Sequence, residues 1–170
     1  SGVEVMRFRR WVLVRKRDPG SPTREATVPE LPSEVAVADI PVPENLNLQR
    51  WADLQWATGG GADWSDFEVG QTIMHPEGMT VDESDHTMAT RLYQNNAAVH
   101  FNGHLMASSR FGKRLVYGGH VISVAHALSY SGLENVLAMA AWNGGVHANP
   151  TFAGDTLYAV TRIVGKEPIP

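Results

Sequence analysis

The sequence contains no cysteine among its 170 residues. This absence excludes disulfide bonds, thiolate metal ligands and a cysteine nucleophile. It also suits a reducing compartment, and we expect a cytoplasmic protein. Long apolar runs are missing as well, because no stretch approaches the roughly 18 apolar residues of a membrane-spanning helix. The first ten residues carry three arginines but no apolar run followed by a small-residue cleavage site, so we predict no signal peptide.

Charged residues are also scarce. They make up 19% of the chain, and the formal net charge is −4 at pH 7. Nucleic acids are bound by basic surfaces, so this balance argues against a nucleic-acid partner. This net charge still allows a local basic patch that binds a small phosphorylated ligand. The hydrophobic fraction of 43% is enough for one domain with a core, whereas two domains of ordinary size would not fit.

Carboxylates are almost missing from the central stretch between His86 and Gly154. Its one carboxylate is Glu134, whereas its histidines are His86, His100, His104, His120, His126 and His147. A mechanism that needs two carboxylates cannot be built here, and histidine is the natural general acid or base because its pKa lies near neutrality. His100 is the strongest candidate, since it follows Asn95 in a predicted loop. A structural or simply exposed histidine is the commoner alternative.

A metal site is disfavoured by the same residues. His100 and His104 have the i, i+4 spacing of a helical zinc pair, but Phe101 stands where such motifs carry glutamate. No cysteine or nearby carboxylate supplies a third ligand. We therefore predict no metal site.

Prolines and glycines divide the chain. Val3 to Lys16 has the composition of a strand, and its arginines suit either a solvated edge strand or an anion-binding surface. Six prolines between Asp18 and Pro43 exclude a continuous helix or strand and predict an extended linker. Trp51 to Trp56 is a short helix or part of that linker. Thr58-Gly59-Gly60-Gly61 is a flexible break before a new globular unit.

The unit after this break alternates helix and strand signals. Phe67 to Met74 predicts a loop into a first strand. Thr80 with Glu83 three residues later matches a capping box and predicts a helix to about Tyr93, and Asn95 to Phe111 predicts a loop with short helical pieces. Further strands are predicted at Val136 to Trp142, Gly145 to Ala148 and Thr156 to Val164, with a turn at Pro150 to Asp155.

Two features in the second half suit a ligand site. Gly118-Gly119 precede a helix predicted at His120 to Ser131, with Gly132 as its C-cap. The N–H groups at such a terminus bind an anion or a developing oxyanion, although a tight turn is the commoner reason for a glycine pair. The run from Arg110 to Arg114 is either a phosphate-binding patch or a solvated loop.

Taken in order, these motifs resemble the MaoC-like dehydratases, which include the R-specific enoyl-CoA hydratases. Where the family has Asp-x-Asn-Pro-x-His, this sequence has Asn95-Asn96-Ala97-Ala98-Val99-His100. Arg110-Phe111-Gly112, Gly118-Gly119-His120 and Pro150-Thr151-Phe152-Ala153-Gly154-Asp155-Thr156-Leu157 follow at matching spacing. Within the family, Tyr93-Gln94-Asn95 and Val99-His100-Phe101-Asn102 are most similar to the mesaconyl-CoA hydratases, also called β-methylmalyl-CoA dehydratases.

The resemblance implies an α+β hotdog fold, in which an antiparallel sheet wraps around a central helix. It also implies a double-hotdog protein. Residues 1–17 would then be the terminal strand of a preceding hotdog half, residues 18–61 a linker, and residues 62–170 a hotdog domain whose closing strands are missing after Pro170. The expected partner is a complementary hotdog half or a second copy of the chain.

The resemblance also implies reversible hydration of a short-chain enoyl-CoA thioester, with mesaconyl-CoA and β-methylmalyl-CoA as the reacting pair. His100 is then the general acid or base, Asn95 positions the attacking water, and the Gly119 N–H stabilises the thioester enolate. No cofactor is expected, because coenzyme A is part of the substrate, and no membrane partner is expected. The residues expected to bind the substrate and its coenzyme A are Arg110, Phe111, Lys113, Arg114, Tyr117 and His120.

One departure from the family bears on the mechanism. Asn95 stands where most members have aspartate, and an asparagine orients water but cannot accept a proton. His100 must then carry most of the proton transfer. Two alternatives stay open: a hotdog thioesterase, which would need a carboxylate, and a non-catalytic unit that binds acyl-CoA or dimerises.

Overall fold

The computed structural model describes residues 2, 8, 12, 16–23, 25, 27, 30, 32, 34–40, 42 and 44–168, apart from the side chains at 48, 51 and 54. The chain divides into two units, Ser1–Leu31 and Pro32–Pro170. In the first unit, Asp18 forms a turn in which its Oδ1 accepts the Gly20 N–H at 2.9 Å. The strand predicted at Val3 to Lys16 lies almost wholly outside the described residues.

The described part of the second unit contains five α-helices, two strands and three short 3₁₀ turns. This confirms the α+β class, the helical alternative for Trp51 to Trp56 and the helical pieces predicted between Asn95 and Phe111. None of the helices in the described ranges is long and apolar enough to cross a membrane. The elements are α1 (Trp51–Thr58), β1 (Thr72–Thr80), α2 (Glu83–Leu92), α3 (Ala98–Phe101), α4 (Gly103–Ala107), α5 (Gly118–Leu128) and β2 (Thr156–Arg162), with 3₁₀ turns at Val37–Asp39, Leu48–Arg50 and Trp64–Asp66.

The two strands form an antiparallel ladder that runs from Thr72 opposite Arg162 to Thr80 opposite Thr156. The register shifts between Met74 and Gly78. Pro76 lies in this interval and has no N–H to donate to a ladder, which explains why the irregularity falls there.

Helix α5 packs against both strands and also contacts α2. This is the relation between helix and sheet that the hotdog prediction requires. The buried His75 ties β1 to the chain after α5: its Nδ1 lies 2.6 Å from Ser131 O and its Nε2 lies 2.9 Å from Thr161 Oγ1. The apolar core of the described residues consists of Val81, Ala89, Met106, Val116, Val124 and Ala159.

Two predicted helix ends are wrong. Thr80 is not the N-cap of α2, because it is the last residue of β1 and its Oγ1 pairs with Thr156 Oγ1 at 2.8 Å. The N-cap is Asp82. Helix α5 ends at Leu128 rather than Ser131. The Ser129 hydroxyl bonds to His126 O at 2.7 Å, and such side-chain bonds compete with helix continuation.

The strands predicted at Val136 to Trp142 and Gly145 to Ala148 are also wrong, because residues 136–149 have no regular secondary structure. Their apolar side chains are exposed, with Trp142 at 63% and Val146 at 90% of full exposure. β-propensity is expressed only where a strand finds a hydrogen-bonding neighbour and a face to pack on. Neither is supplied to this segment by the described part of the chain.

Asn135 joins the end of α1 to the chain that follows α5. It is buried, its Nδ2 donates to Ala62 O at 2.7 Å and to Gly60 O at 3.2 Å, and its Oδ1 accepts the Thr58 hydroxyl at 2.6 Å. Because truncation leaves these buried groups unpaired, Asn135→Ala should lower the free energy of unfolding by about 1–3 kcal/mol.

Urea unfolding of Asn135→Ala beside Asn143→Ala measures this effect. Asn143 is exposed, so its replacement should change the free energy of unfolding by less than about 0.5 kcal/mol. Equal midpoints for the two variants would show that the Asn135 hydrogen bonds do not stabilise the fold.

Candidate active site

His100 lies on α3 and is half-buried. Its Nδ1 is 3.1 Å from the carbonyl oxygen of Leu115. A carbonyl oxygen can only accept, so Nδ1 carries the proton of the neutral ring and Nε2 carries the lone pair. Nε2 is therefore the His100 atom that is able to take a proton from a bound water molecule.

Asn95 is placed by the C-terminus of α2. Its N–H donates to Thr90 O at 3.0 Å, and the Gln94 N–H donates to Arg91 O at 3.1 Å. These two bonds form a Schellman motif, with Gln94 in the left-handed position at φ 52° where glycine is usual. Asn95 Oδ1 accepts the Ala97 N–H at 2.9 Å. Its amide NH₂ group is therefore the part that remains to meet a ligand.

Tyr117 connects His100 with the N-terminus of α5. The Tyr117 ring lies edge-on to the His100 ring at a centroid distance of 5.7 Å, and 6.1 Å from the ring of Tyr93. It also lies over Gly119, where a Cβ would be 2.6 Å from Tyr117 Cε1. The structure therefore brings His100, Tyr117 and Gly119 together.

The N-terminus of α5 is not capped by a side chain. Its N-cap residue, Tyr117, makes no side-chain capping bond, and within the described residues the Tyr117 carbonyl accepts the N–H groups of His120 and Val121 alone. The N–H groups of Gly118 and Gly119 precede these and are the first of the helix, where the helix dipole favours negative charge. A developing enolate oxygen has this charge.

His147 is a site residue that the sequence did not indicate. Its ring lies against Gly118, where a Cβ would be 2.4 Å from His147 Nε2. The residue is exposed and belongs to the stretch without regular secondary structure. In the sequence, only its being a histidine could have pointed to a site role, and five other histidines in the same region share that property.

Arg110, Phe111 and Lys113 of the basic run form one cluster with Phe152. The Arg110 guanidinium lies 4.5 Å from the Phe111 ring centroid, and Lys113 Nζ lies 4.3 Å from that of Phe152. The two rings meet edge to face at 6.0 Å. Two exposed cations beside an aromatic pair can bind phosphate groups and a stacked base. Phe152 was missed, although it lies inside one of the family motifs.

Arg114 lies apart from this cluster. Its Nε donates to Glu83 Oε1 at 3.1 Å, its Nη2 bonds to the same oxygen, and its side chain is only 14% exposed. Its Nη1 donates to Phe101 O at 3.4 Å. The guanidinium lowers the pKa of Glu83 below its usual range, mainly through these hydrogen bonds. Sequence reasoning missed Glu83, because it stands just before the carboxylate-poor stretch.

Two histidines lie near this ion pair, His86, which is buried, and His120, which is half-buried. His86 is fully buried, its Nδ1 has no hydrogen-bond partner among the described residues, and its Nε2 lies 3.3 Å from Glu83 Oε2. Burial is the largest cause that lowers its pKa, and the charge of Arg114 adds to it. His120 also acts electrostatically on His86, and its Nε2 is buried without a partner. The Nε2 side of the half-buried His120 ring therefore faces the protein interior.

The described residues hold no group of three or more histidine, aspartate or glutamate side chains suited to a metal ion. One surface groove of about 720 Å³ runs along α2. It is open and does not include His100. Its lining residues are Glu83, Ser84, Thr87, Met88, Arg91 and Leu92.

Comparison with known proteins supports the motif resemblance. The chain is 51% identical over 166 residues to β-methylmalyl-CoA dehydratase from Chloroflexus aurantiacus, covering 98% of this chain and 47% of that protein. It is 48% identical over 166 residues to mesaconyl-CoA hydratase from Cereibacter sphaeroides, covering 97% and 47%. The resemblance to the MaoC-like dehydratases is confirmed. The chain spans about half the length of these curated relatives.

A solved structure shows the same fold. The MaoC domain protein dehydratase from Chloroflexus aurantiacus superposes with a TM-score of 0.79 at 50% identity, over 92% of this chain and 44% of that one. No protein-family model matches the chain.

Proposed function

We propose that this chain forms one hotdog unit of a hydro-lyase that interconverts mesaconyl-CoA and β-methylmalyl-CoA. The proposal rests on one observation, which is that Tyr117 contacts both His100 and the uncapped N-terminus of α5. This arrangement places a proton acceptor and a candidate oxyanion site in contact with the same tyrosine ring. The relatives that share about half of the chain's residues are named for this reaction.

In the hydration direction, His100 Nε2 takes a proton from water as the water oxygen bonds to the β-carbon of the enoyl thioester. The electron pair of the carbon–carbon double bond moves to the thioester oxygen, where the Gly119 N–H stabilises the enolate. The His100 imidazolium then donates its proton to the α-carbon, so that one water molecule has been added in total. Asn95 uses its amide NH₂ group to orient the water.

The coenzyme A portion is assigned to the cluster of Arg110, Phe111, Lys113 and Phe152. The two cations are exposed and meet phosphate groups, and the ring pair offers a stacking surface. Tyr117 lines the acyl end beside His100. Arg114 is already paired with Glu83, and we assign it no phosphate.

A further polypeptide surface completes the site. The groove along α2 is open, and the apolar side chains of residues 136–149 are exposed, even though the Trp142 ring lies edge-on to His126 at 6.2 Å. A complementary hotdog half or a second copy of the chain would pair with this segment and shield His100 from bulk water.

The test uses the full-length protein with mesaconyl-CoA and follows two signals at once. Hydration removes the absorbance of the conjugated thioester without releasing free thiol. Loss of absorbance with equivalent thiol release would instead identify a thioesterase. Binding of mesaconyl-CoA with neither signal would identify a non-catalytic unit.

A further inference from the structure

We propose that Arg114, held by Glu83, is a positioning residue that orients His100. The inference rests on the proposed hydration at His100, and it assigns Arg114 to the general base rather than to coenzyme A.

Helix α3 cannot fix the orientation of His100 by its own backbone hydrogen bonds. This helix has four residues, Ala98–Phe101, and a single turn is not stable by itself because helix nucleation is costly. The orientation of His100 must therefore come from contacts with other parts of the chain.

Residues 114 and 115 supply these contacts on three successive residues of α3. The Leu115 N–H donates to Val99 O at 3.0 Å, and Leu115 O accepts from His100 Nδ1 at 3.1 Å. Arg114 Nη1 donates to Phe101 O at 3.4 Å. The same two residues thus set the position of the helix and the tautomer of the His100 ring.

Glu83 holds Arg114 in this place. Both Arg114 Nε and Nη2 bond to Glu83 Oε1, and charge-assisted bonds of this kind are stronger than neutral ones. The carboxylate belongs to the first turn of α2, where the helix dipole also favours negative charge. The other carboxylate oxygen, Oε2, lies 3.3 Å from Nε2 of the buried His86. Arg114 therefore links α2 to the short helix that carries His100.

Lysine cannot replace arginine in this geometry. An ammonium group is a point charge and cannot hold a carboxylate and a carbonyl at the fixed angles of a guanidinium fork. Arg114→Lys should leave Glu83 ionised while loosening the bond to Phe101 O.

Steady-state kinetics with mesaconyl-CoA separate positioning from binding. For Arg114→Lys we expect kcat to fall by about 10- to 100-fold, because a small misplacement of a catalytic group has an effect of this size. KM should stay nearly unchanged. Glu83→Gln should lower kcat in the same direction, and the exposed Arg162→Lys is the matched control with wild-type kinetics. A raised KM with unchanged kcat would show that Arg114 binds coenzyme A and would overturn the inference, as would wild-type kinetics.

A second measurement needs neither substrate nor turnover. Nitrogen NMR of the ring-labelled full-length protein reports the tautomer of His100, whose signal is assigned by its loss in His100→Gln. Wild type should show the proton on Nδ1, and Arg114→Lys and Glu83→Gln should show a mixture of tautomers. An unchanged tautomer in both variants would overturn the inference. Failure of the proposed hydration would appear separately, as wild-type protein that does not react with mesaconyl-CoA.

Discussion

His100→Gln should lower kcat for hydration of mesaconyl-CoA by about 10²- to 10⁴-fold, which is the usual contribution of a general acid or base. Glutamine is chosen because it is polar, similar in length to histidine and unable to titrate near neutral pH. The substitution removes the proton acceptor without placing an apolar side chain beside Leu115 O. The loss should therefore appear in the chemical step of a folded protein.

Rates are compared in the full-length protein, with folding checked by circular dichroism and thermal unfolding. The matched control is His104→Gln, because His104 lies on α4 and is exposed. It should keep the wild-type kcat. If His100→Gln also keeps it, proton transfer takes place elsewhere and this unit only binds substrate.

Gly119→Ala should lower kcat/KM by about 10²-fold. An added Cβ would lie 2.6 Å from Tyr117 Cε1 and 2.7 Å from Tyr117 Oη, so the ring must move. The same ring lies against His100 at 5.7 Å, and its displacement disturbs the catalytic group. The strain at Gly119 should also shift its N–H away from the thioester oxygen, and one such donor is typically worth about 10²- to 10³-fold.

Gly61→Ala is the control for this variant, because a Cβ at Gly61 would meet nothing within 4 Å. Its kcat/KM and thermal midpoint should match the wild type. Activity is measured with mesaconyl-CoA for both variants. Wild-type kcat/KM in Gly119→Ala would mean that the N-terminus of α5 is not part of the active site.

Local sequence patterns correctly predicted most of the helices and the strand β2. The apolar spacing of α5 and the glycines before it predicted a helix, and Gly118–Leu128 is one. The ends of the elements were less predictable. The Thr80 hydroxyl caps no helix, because it bonds to Thr156 across the sheet, 76 residues further along the chain.

The chemistry of the site was partly predictable. Residue types and motif order singled out His100, Asn95 and Gly119, and the structure brings His100 to Gly119 through Tyr117. Their catalytic roles stay predictions. The tautomer of His100 was not predictable, because it depends on Leu115, 15 residues away.

The sequence by itself determined the α+β class, the resemblance to the MaoC-like dehydratases and the absence of cysteine chemistry. Only the tertiary structure decided what each charged or histidine side chain faces. Arg114 stands in a basic run, yet it pairs with Glu83, 31 residues earlier, and His147 reaches Gly118 from a distant segment. The same holds for residues 136–149, whose composition favours strands that do not form. The physical reason is common to all three: ion pairing, ring packing and strand pairing need a partner in space, and the local pattern does not specify that partner.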